Sequence, residues 1–302
     1  MAKSGDHKTK YQIRALMKRN TEGSPNRQTS RLHHIEGFID RLQARGYGQR
    51  WDYHNLGARE VNRVVSDWRA DGLEHRTIAN YMASIRWWAK QVGRADVIPS
   101  NRQLGIPSRG KTPGWGEDKA EHLPPDPSAG LGEREMLVTL LRAQFGLRTE
   151  EACKFSHAWA TADGPDRIRL RGSWCKGGRP REIRITTPEQ HALLARIGEF
   201  QRGRGERSMI PKGMRFVTYY RNYNRARKAA GIPGHGLRHA FAQGRFEQEA
   251  GMPSPHAGGP AYSSLDAAGR EQWDRAAAVV NRELGHGDGR QDITATYIGP
   301  RN

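Results

Sequence analysis

The sequence has few cysteines, few acidic residues for its number of basic ones, and no long apolar run. Only two cysteines occur in 302 residues. Neither Cys153 nor Cys175 belongs to a C-x-x-C pair or lies near a histidine at zinc-ligand spacing. We therefore expect no metal site of that kind, and a reducing cytoplasm fits the cysteine usage best. Since no apolar run approaches membrane-spanning length, we expect neither secretion, nor membrane insertion, nor a membrane partner.

The charge balance points to a polyanionic partner. The sequence contains 50 Lys and Arg residues but only 32 Asp and Glu residues, which gives a formal net charge of +18. Such an excess is unusual for an ordinary metabolic enzyme and expected for a protein bound along a nucleic acid, although a merely basic soluble surface is the alternative. Arginine outnumbers lysine, which favours bidentate contacts to phosphate groups.

The length and the local composition predict two domains. Residues 1–29 are polar and basic, which predicts a flexible tail that could lie along DNA phosphates. Residues 30–98 carry apolar side chains at helical spacing in three runs, each followed by glycine, and so predict a small helical domain. Residues 99–131 are rich in proline and glycine and predict an interdomain linker. A second domain is then expected over residues 132–302.

The second domain is predicted to be mainly helical with one small sheet. Arg148 lies between two predicted helices, and Thr149 is a suitable N-cap for the second of them. Residues 167–186 alternate charged and apolar side chains on either side of a Gly-Gly pair, which predicts a β-hairpin with Lys176 beside its turn. The fold class is therefore mainly α with a small β-sheet.

Phosphate-handling side chains are spread over this second half in a fixed order. Breaking a phosphodiester by direct substitution needs a nucleophile, charge stabilisation on the nonbridging oxygens and a proton for the leaving alkoxide. The candidates are Arg148 in GLRTEEA, Lys176 in WCKGGRPREIRI, His235 and Arg238 in HGLRHAFA, His286 in LGHGD and Tyr297 in TATYIG. A tyrosine has an ordinary pKa near 10, so it requires a neighbouring base such as His235 or His286, or a strongly cationic site.

Taken together, these ordered blocks resemble the tyrosine recombinases, the phage-integrase family, over roughly residues 30–302. The resemblance implies a helical core-binding domain followed by a catalytic domain. It also implies that Tyr297 attacks a DNA phosphate to give a 3′-phosphotyrosyl link and a 5′ hydroxyl, with no metal or other cofactor because arginines neutralise the charge.

The resemblance further assigns a role to each matched residue. Arg148 and Arg238 would clamp the scissile phosphate, and His286 would hydrogen-bond to it. Lys176 would be the general acid for the 5′ oxygen, since an ammonium group releases a proton and a guanidinium essentially does not. Glu151 occupies the acidic position three residues after Arg148 and would orient its neighbours.

Two further segments are candidates for contacts outside the catalytic centre. Arg76, Asn80, Ser84 and Trp87 recur three or four residues apart on one predicted helix, and this face could enter a DNA groove or be an ordinary solvated face. The long stretch between Arg238 and His286, including residues 245–280, is rich in glycine and proline in its first half and predicts a loop insertion that contacts DNA or a partner, or is simply tolerated.

The sequence thus predicts a cytoplasmic, nucleoid-associated recombinase or integrase, one that acts for a mobile element on double-stranded DNA. We expect a homotetramer on paired sites, with a DNA-bending accessory protein or a directionality factor as further partners. Two alternatives share parts of the pattern. A type IB topoisomerase uses the same chemistry, and a DNA-binding regulator could keep the fold without cutting.

Overall fold

Two compact units, Met1–Trp115 and Gly116–Asn302, make up the chain in the computed structural model. The structure describes residues 4–48, 51–107, 117–287 and 290–301. The helices of the first unit are α1 (Ser4–Arg19), α2 (Pro25–Ala44), α3 (Ala58–Ala70) and α4 (His75–Gln91). Their apolar stripes meet around Trp88, which is fully buried and packs edge-on against Phe38. The predicted helical domain is thus present.

The prediction of a flexible tail is wrong for the described part of residues 1–29. Helix α1 covers most of this segment, and Ile13, Leu16 and Met17 on one of its faces are buried in the core of the first unit. The spacing of these three residues is helical, but the many lysines and arginines around them conceal the stripe. Helix α2 also begins earlier than expected, because Ser24 caps its N-terminus and Pro25 opens its first turn.

The described parts of the predicted linker are packed, each within its own unit. Leu104 and Ile106 are buried in the first core. In the second unit, the backbone N–H of Glu121 donates to the carbonyl oxygen of Gly236 at 3.2 Å. The division of the chain after Trp115 falls inside the predicted linker, whose residues 108–116 lie outside the described residues.

In the second unit, helices surround one two-stranded sheet, which confirms the predicted fold class. The unit contains α5 (Glu133–Phe145), α6 (Thr149–Lys154), α7 (His157–Ala160), β1 (Arg167–Leu170), β2 (Arg181–Arg184), α8 (Pro188–Gly203), α9 (Phe216–Ala229), α10 (Gly236–Ala250), α11 (Ala267–Leu284) and α12 (Gln291–Ile298). One core lies among α5, α8, α9 and the sheet, and a second among α10, α11 and α12. Among the described residues, no helix is long and apolar enough to span a membrane.

The predicted hairpin is confirmed, with a longer turn than a two-residue connection. Strands β1 and β2 are antiparallel, with Leu170 opposite Arg181. Between them the chain makes two short 3₁₀ turns, the second over Lys176–Gly178. Gly177 and Gly178 adopt φ values of 80° and 72°, a region that side chains disfavour, so the Gly-Gly pair permits this turn.

The predicted loop insertion is shorter than expected. Helix α10 continues to Ala250 and α11 begins at Ala267, so the loop covers only residues 251–266. The side chain of Asp266 caps α11 by accepting a hydrogen bond from the backbone N–H of Gly269 at 2.7 Å. Trp273, one of the residues that we read as part of the insertion, is buried in the second core of this unit.

Candidate active site

An ion-pair cluster lies where α5 gives way to α6. Arg148 is the N-cap residue of α6, one position earlier than the N-cap predicted at Thr149. The carboxylate of Glu151 accepts hydrogen bonds from the backbone N–H of Arg148 at 2.7 Å and from its Nη1 at 2.9 Å. Glu151 therefore fixes both the backbone and the guanidinium of Arg148.

The same carboxylate holds a second guanidinium, that of Arg181 on β2. Nη1 and Nη2 of Arg181 donate to the two oxygens of Glu151 at 2.9 and 2.7 Å, and its Nε donates to the carbonyl oxygen of Glu283 at 2.6 Å. Glu151 is completely buried. Burial by itself would raise the pKa of this carboxyl, but the hydrogen bonds and charge of Arg181, with the charges of Arg238 and Arg148, lower the pKa to about 2.

Arg238 approaches this cluster from the first turn of α10. Its side chain is 2% exposed, and its two terminal nitrogens donate to the carbonyl oxygens of Gly146 and Leu284. Its Nε is buried without a hydrogen-bond partner among the described residues. Burial, and then the charges of Arg148 and Arg181, lower the pKa of Arg238 to about 10, so the group stays charged at neutral pH.

Tyr297 on α12 lies among three histidine rings. Its hydroxyl is 2.9 Å from Nε2 of His235. The ring stacks on His239 with centroids 4.3 Å apart and an interplanar angle of 23°, and the centroid of His286 is 5.0 Å away. The guanidinium carbon of Arg238 lies 5.8 Å from the centre of the phenol ring. The candidate nucleophile is thus held between a ring nitrogen and the arginine cluster.

Burial and nearby arginines keep these histidines neutral. Burial first, and then the charge of Arg238, lower the pKa of His235 to about 4. The pKa of His239 falls to about 4, mainly through burial. Burial, Arg238 and Arg148 lower that of His286 to about 3. His235 is nevertheless exposed to solvent, and its neutral Nε2, at hydrogen-bond distance from the phenol, can accept the phenolic proton.

His286 is placed by the end of α11 and by α12. Its Nδ1 is 3.3 Å from Oγ1 of Thr294, and its carbonyl oxygen accepts a hydrogen bond from Nη1 of Arg179 at 3.2 Å. Its Nε2 is buried without a hydrogen-bond partner among the described residues. A buried ring nitrogen without a partner is costly, so this atom is available to a ligand group.

Lys176 is the one candidate residue that the structure leaves apart from the cluster. It lies on the exposed turn between β1 and β2. The turn is nevertheless tied to the site, because Sγ of the preceding Cys175 is 3.3 Å from Nη1 of Arg181. The ammonium group is therefore on a surface segment that adjoins the arginines.

The electrostatics of the site favour an anion. Three guanidinium groups, those of Arg148, Arg181 and Arg238, surround the single buried carboxylate of Glu151. The excess positive charge lies in a poorly solvated environment, where it acts strongly on a nearby negative group. Together with the buried Nε atom of Arg238, which lacks a hydrogen-bond partner among the described residues, this arrangement favours a negative charge beside the phenol.

Two contributors to the site escaped the sequence analysis. Arg181 follows Lys176 by five residues and is an inward-facing position of β2, where strand alternation places a buried side chain. His239 follows His235 by four residues and so lies on the same face of α10. Strand and helix periodicity were therefore the available signals, but a buried arginine and a second histidine are not expected from periodicity alone.

The predicted DNA-contact residues lie on α4 of the first unit. Arg76 and Asn80 are exposed. Ser84 is only 8% exposed and is 2.9 Å from Nδ1 of His34, so it lies beneath this surface rather than on it. Trp87 is covered by the guanidinium of Arg31, 4.0 Å from the ring centre. Contact of these four residues with DNA stays a prediction.

Comparisons with known proteins identify the family to which both parts of the chain are similar. The family model described as "Phage integrase, N-terminal" matches residues 6–98, and the model described as "Integrase" matches residues 133–244. The first match includes helix α1 from residue 6 onward, and the second includes Arg148, Glu151, Lys176, Arg181, His235, Arg238 and His239. No curated protein sequence matches the chain at a significant level.

Among the solved structures with a similar fold are two proteins in complex with DNA. The XerH site-specific recombinase, bound to palindromic difH substrate in a post-cleavage complex, has a TM-score of 0.54 and 14% identity over 95% of this chain and 80% of its own. The Tn1549 transposon integrase, in complex with circular intermediate DNA, has a TM-score of 0.53 and 14% identity over 97% of this chain and 96% of its own.

Proposed function

Because the chain belongs to the phage-integrase family of tyrosine recombinases, a class of site-specific enzymes that break and rejoin DNA strands, we propose that it cuts DNA through a covalent 3′-phosphotyrosyl link to Tyr297. The observation that carries this proposal is the position of the Tyr297 hydroxyl. It is 2.9 Å from Nε2 of His235, beside three guanidinium groups that, among the described residues, one buried carboxylate, that of Glu151, offsets. The same arrangement supplies a nucleophile, a base and an anion site.

In the proposed cleavage step, a bond forms between the Tyr297 hydroxyl oxygen and phosphorus as the bond to the 5′ oxygen breaks. The phenolic proton passes to Nε2 of His235, and Lys176, on the exposed turn between β1 and β2, gives a proton to the leaving 5′ oxygen. Arg148 and Arg238 stabilise the charge on the nonbridging oxygens. Since the phosphodiester energy is kept in the phosphotyrosyl link, attack by a 5′ hydroxyl reseals the strand without ATP.

The proposed substrate is double-stranded DNA with paired recombination sites, and the proposed role is integration or excision of a mobile element. The net charge of +18 supports binding along a polyanion. The structurally similar XerH and Tn1549 proteins are described in complexes with DNA. Assembly as a homotetramer in the cell's nucleoid, with a DNA-bending or directionality factor, is part of the same proposal.

The direct test is recovery of protein–DNA adducts that survive denaturing detergent. The full chain and its Tyr297→Phe variant are incubated with genomic DNA of the source organism, and the trapped DNA is sequenced. We expect the full chain to yield adducts at defined sites and Tyr297→Phe to yield none while still binding the recovered duplex. If the full chain binds this DNA without forming any adduct, the protein is a noncleaving DNA-binding protein and the proposal is wrong.

A further inference from the structure

The backbone of the nucleophile helix ends in a polar cluster that the catalytic chemistry does not use. Helix α12 ends at Ile298, so the carbonyl oxygen of Tyr297 lies in the last turn, where carbonyls lack partners within the helix. Nε2 of Gln243 donates to this oxygen at 3.3 Å. Nδ1 of His256 lies 3.4 Å from the same oxygen. Side chains from two other segments thus replace the missing helical hydrogen bond.

Helix α10 contacts both the side chain and the backbone of Tyr297. His239 stacks on the phenol ring, and Gln243, one helical turn later on the same face, binds the carbonyl oxygen of the same residue. Gln243 is 8% exposed, so water has little access to replace its hydrogen bond. Both the ring and the backbone of Tyr297 are therefore held by side chains of one helix, α10.

Gln243 also connects this helix to the segment that follows the first unit. The same Nε2 atom donates to Oδ1 of Asp118 at 2.6 Å. The carboxylate is itself fixed by the backbone N–H of Ala120 at 2.9 Å. Burial tends to raise the pKa of Asp118, but these two hydrogen bonds and the proximity of His256 lower it. Asp118 therefore presents a charged, oriented acceptor that holds the amide of Gln243 in place.

The loop over residues 251–266 closes the other side of the helix end. Gly299 has a φ of 102°, a region that favours glycine. A Cβ atom at this position would lie 2.7 Å from Cβ of Pro255 and 3.0 Å from the backbone nitrogen of His256. The chain after Tyr297 thus passes in close contact with the loop, and the loop has a structural task beside the active site.

We propose that Gln243 is a positioning residue for Tyr297, held by Asp118 and assisted by His256, so that the segment after the first unit helps to set whether the nucleophile is docked for attack. The inference rests on the proposed function for its catalytic consequence, but the placement itself can be measured without DNA. Gln243 binds the carbonyl oxygen of Tyr297, whereas the phenol oxygen is bound by His235. Its effect passes through the backbone of α12.

The first experiment is hydrogen–deuterium exchange of the full chain without DNA. Gln243→Glu keeps the size of the side chain but removes the donor and places a second carboxylate beside Asp118. We expect amide exchange in residues 291–301 to become about tenfold faster, since one buried hydrogen bond is lost and a repulsion is added. Asp118→Asn, which keeps an acceptor oxygen, should change exchange by less than about threefold.

The matched control is Gln248→Glu on the same helix. Gln248 is exposed, and its Oε1 only accepts hydrogen bonds from Arg245 and Thr186, which a carboxylate can also accept. This substitution should leave exchange in residues 291–301 unchanged. If Gln243→Glu and Gln248→Glu give the same exchange pattern there, Gln243 does not position the nucleophile helix and the inference is wrong, whatever the protein does to DNA.

The second experiment measures cleavage of a duplex recovered in the adduct assay, at saturating DNA and in a single turnover. We expect Gln243→Glu to bind with unchanged affinity and to form adduct about tenfold more slowly. Replacing the 5′ bridging oxygen by sulfur gives a leaving group that needs no proton, so it should restore Lys176→Ala but not Gln243→Glu. Restoration of both variants would mean that Gln243 acts on the leaving group, which contradicts a positioning role.

Failure of the unmodified chain to form any adduct would instead overturn the proposed function. The exchange experiment would then decide by itself whether Gln243 positions the nucleophile helix.

Discussion

Replacing Glu151 with glutamine should destabilise the catalytic unit severely. The carboxylate is completely buried and accepts four hydrogen bonds, two from Arg181 and two from Arg148. Glutamine has nearly the same shape, but its amide group carries no charge and turns two donors toward the guanidinium groups. The guanidinium groups of Arg148 and Arg181 would lose the one buried carboxylate that they bind in the described part of the chain, in a site where Arg238 adds a third positive charge.

The size of the effect follows from the electrostatics. Removing one partner of a buried ion pair typically costs about 3–5 kcal/mol, because an uncompensated charge stays buried. The pKa of Glu151, about 2 against an ordinary 4.5, gives a similar figure of about 3 kcal/mol for the preference for the charged form, at 1.36 kcal/mol for each pKa unit. For a unit of this size we expect the melting temperature to fall by roughly 10 °C.

Thermal unfolding followed by circular dichroism measures this change, with Glu182→Gln as the control. Glu182 pairs with Arg167 at 3.0 Å, but both side chains are 52% exposed, and such surface pairs are worth less than about 1 kcal/mol. We expect the control to melt within about 2 °C of the unmodified chain. If Glu151→Gln melts together with Glu182→Gln, Glu151 is not the anchor of the arginine cluster.

Three further predictions concern pH, salt and the leaving group. The pKa values of His239 and His286 lie at about 4 and about 3, below the ordinary value of 6.5. As the pH falls, the unfolded chain therefore takes up protons before the folded chain does. The folded state should lose stability as the pH falls from about 6.5 to 4, by up to about 3 kcal/mol for each ring. A melting temperature that does not change between pH 7 and pH 4.5 would contradict this. Affinity for a DNA duplex should fall roughly a thousandfold between 50 and 200 mM salt, as measured by fluorescence anisotropy, whereas a flat response would exclude extensive phosphate contact. Lys176→Ala should cut the rate of adduct formation at least about a hundredfold. The rate should be restored on a duplex with a 5′ bridging sulfur, whose leaving group needs no proton. A defect that persists on this duplex would assign the proton donor to another group.

The parts of the fold that could be predicted from the sequence are those that depend on local pattern. Apolar spacing and terminating glycines located α2 to α5, and alternation about Gly-Gly located the hairpin. The first helix was missed because Ile13, Leu16 and Met17 stand among basic residues, so that composition indicated a tail although burial shows a packed helix. Local charge density is a weak guide where three apolar residues suffice to dock a short helix.

The ordered motifs named most of the residues that the structure brings together around Tyr297. Five of the six candidate residues lie together, and Lys176 lies on the adjoining turn. Arg181 and Gln243 could not have been assigned, because their partners Glu151 and Tyr297 are 30 and 54 residues away in the sequence. Pairings at such separations are fixed by how the helices pack, which one sequence does not reveal.

Mass spectrometry of the adduct can establish whether Tyr297 is the residue that becomes covalently attached to DNA. Digestion with nuclease and trypsin leaves the peptide Gln291–Arg301, in which Tyr297 is the only tyrosine. We expect a residual nucleotide joined to Tyr297 through a 3′ phosphate, with a free 5′ hydroxyl on the released strand. A nucleotide on any other residue, or a 5′ phosphate on the released strand, would contradict it.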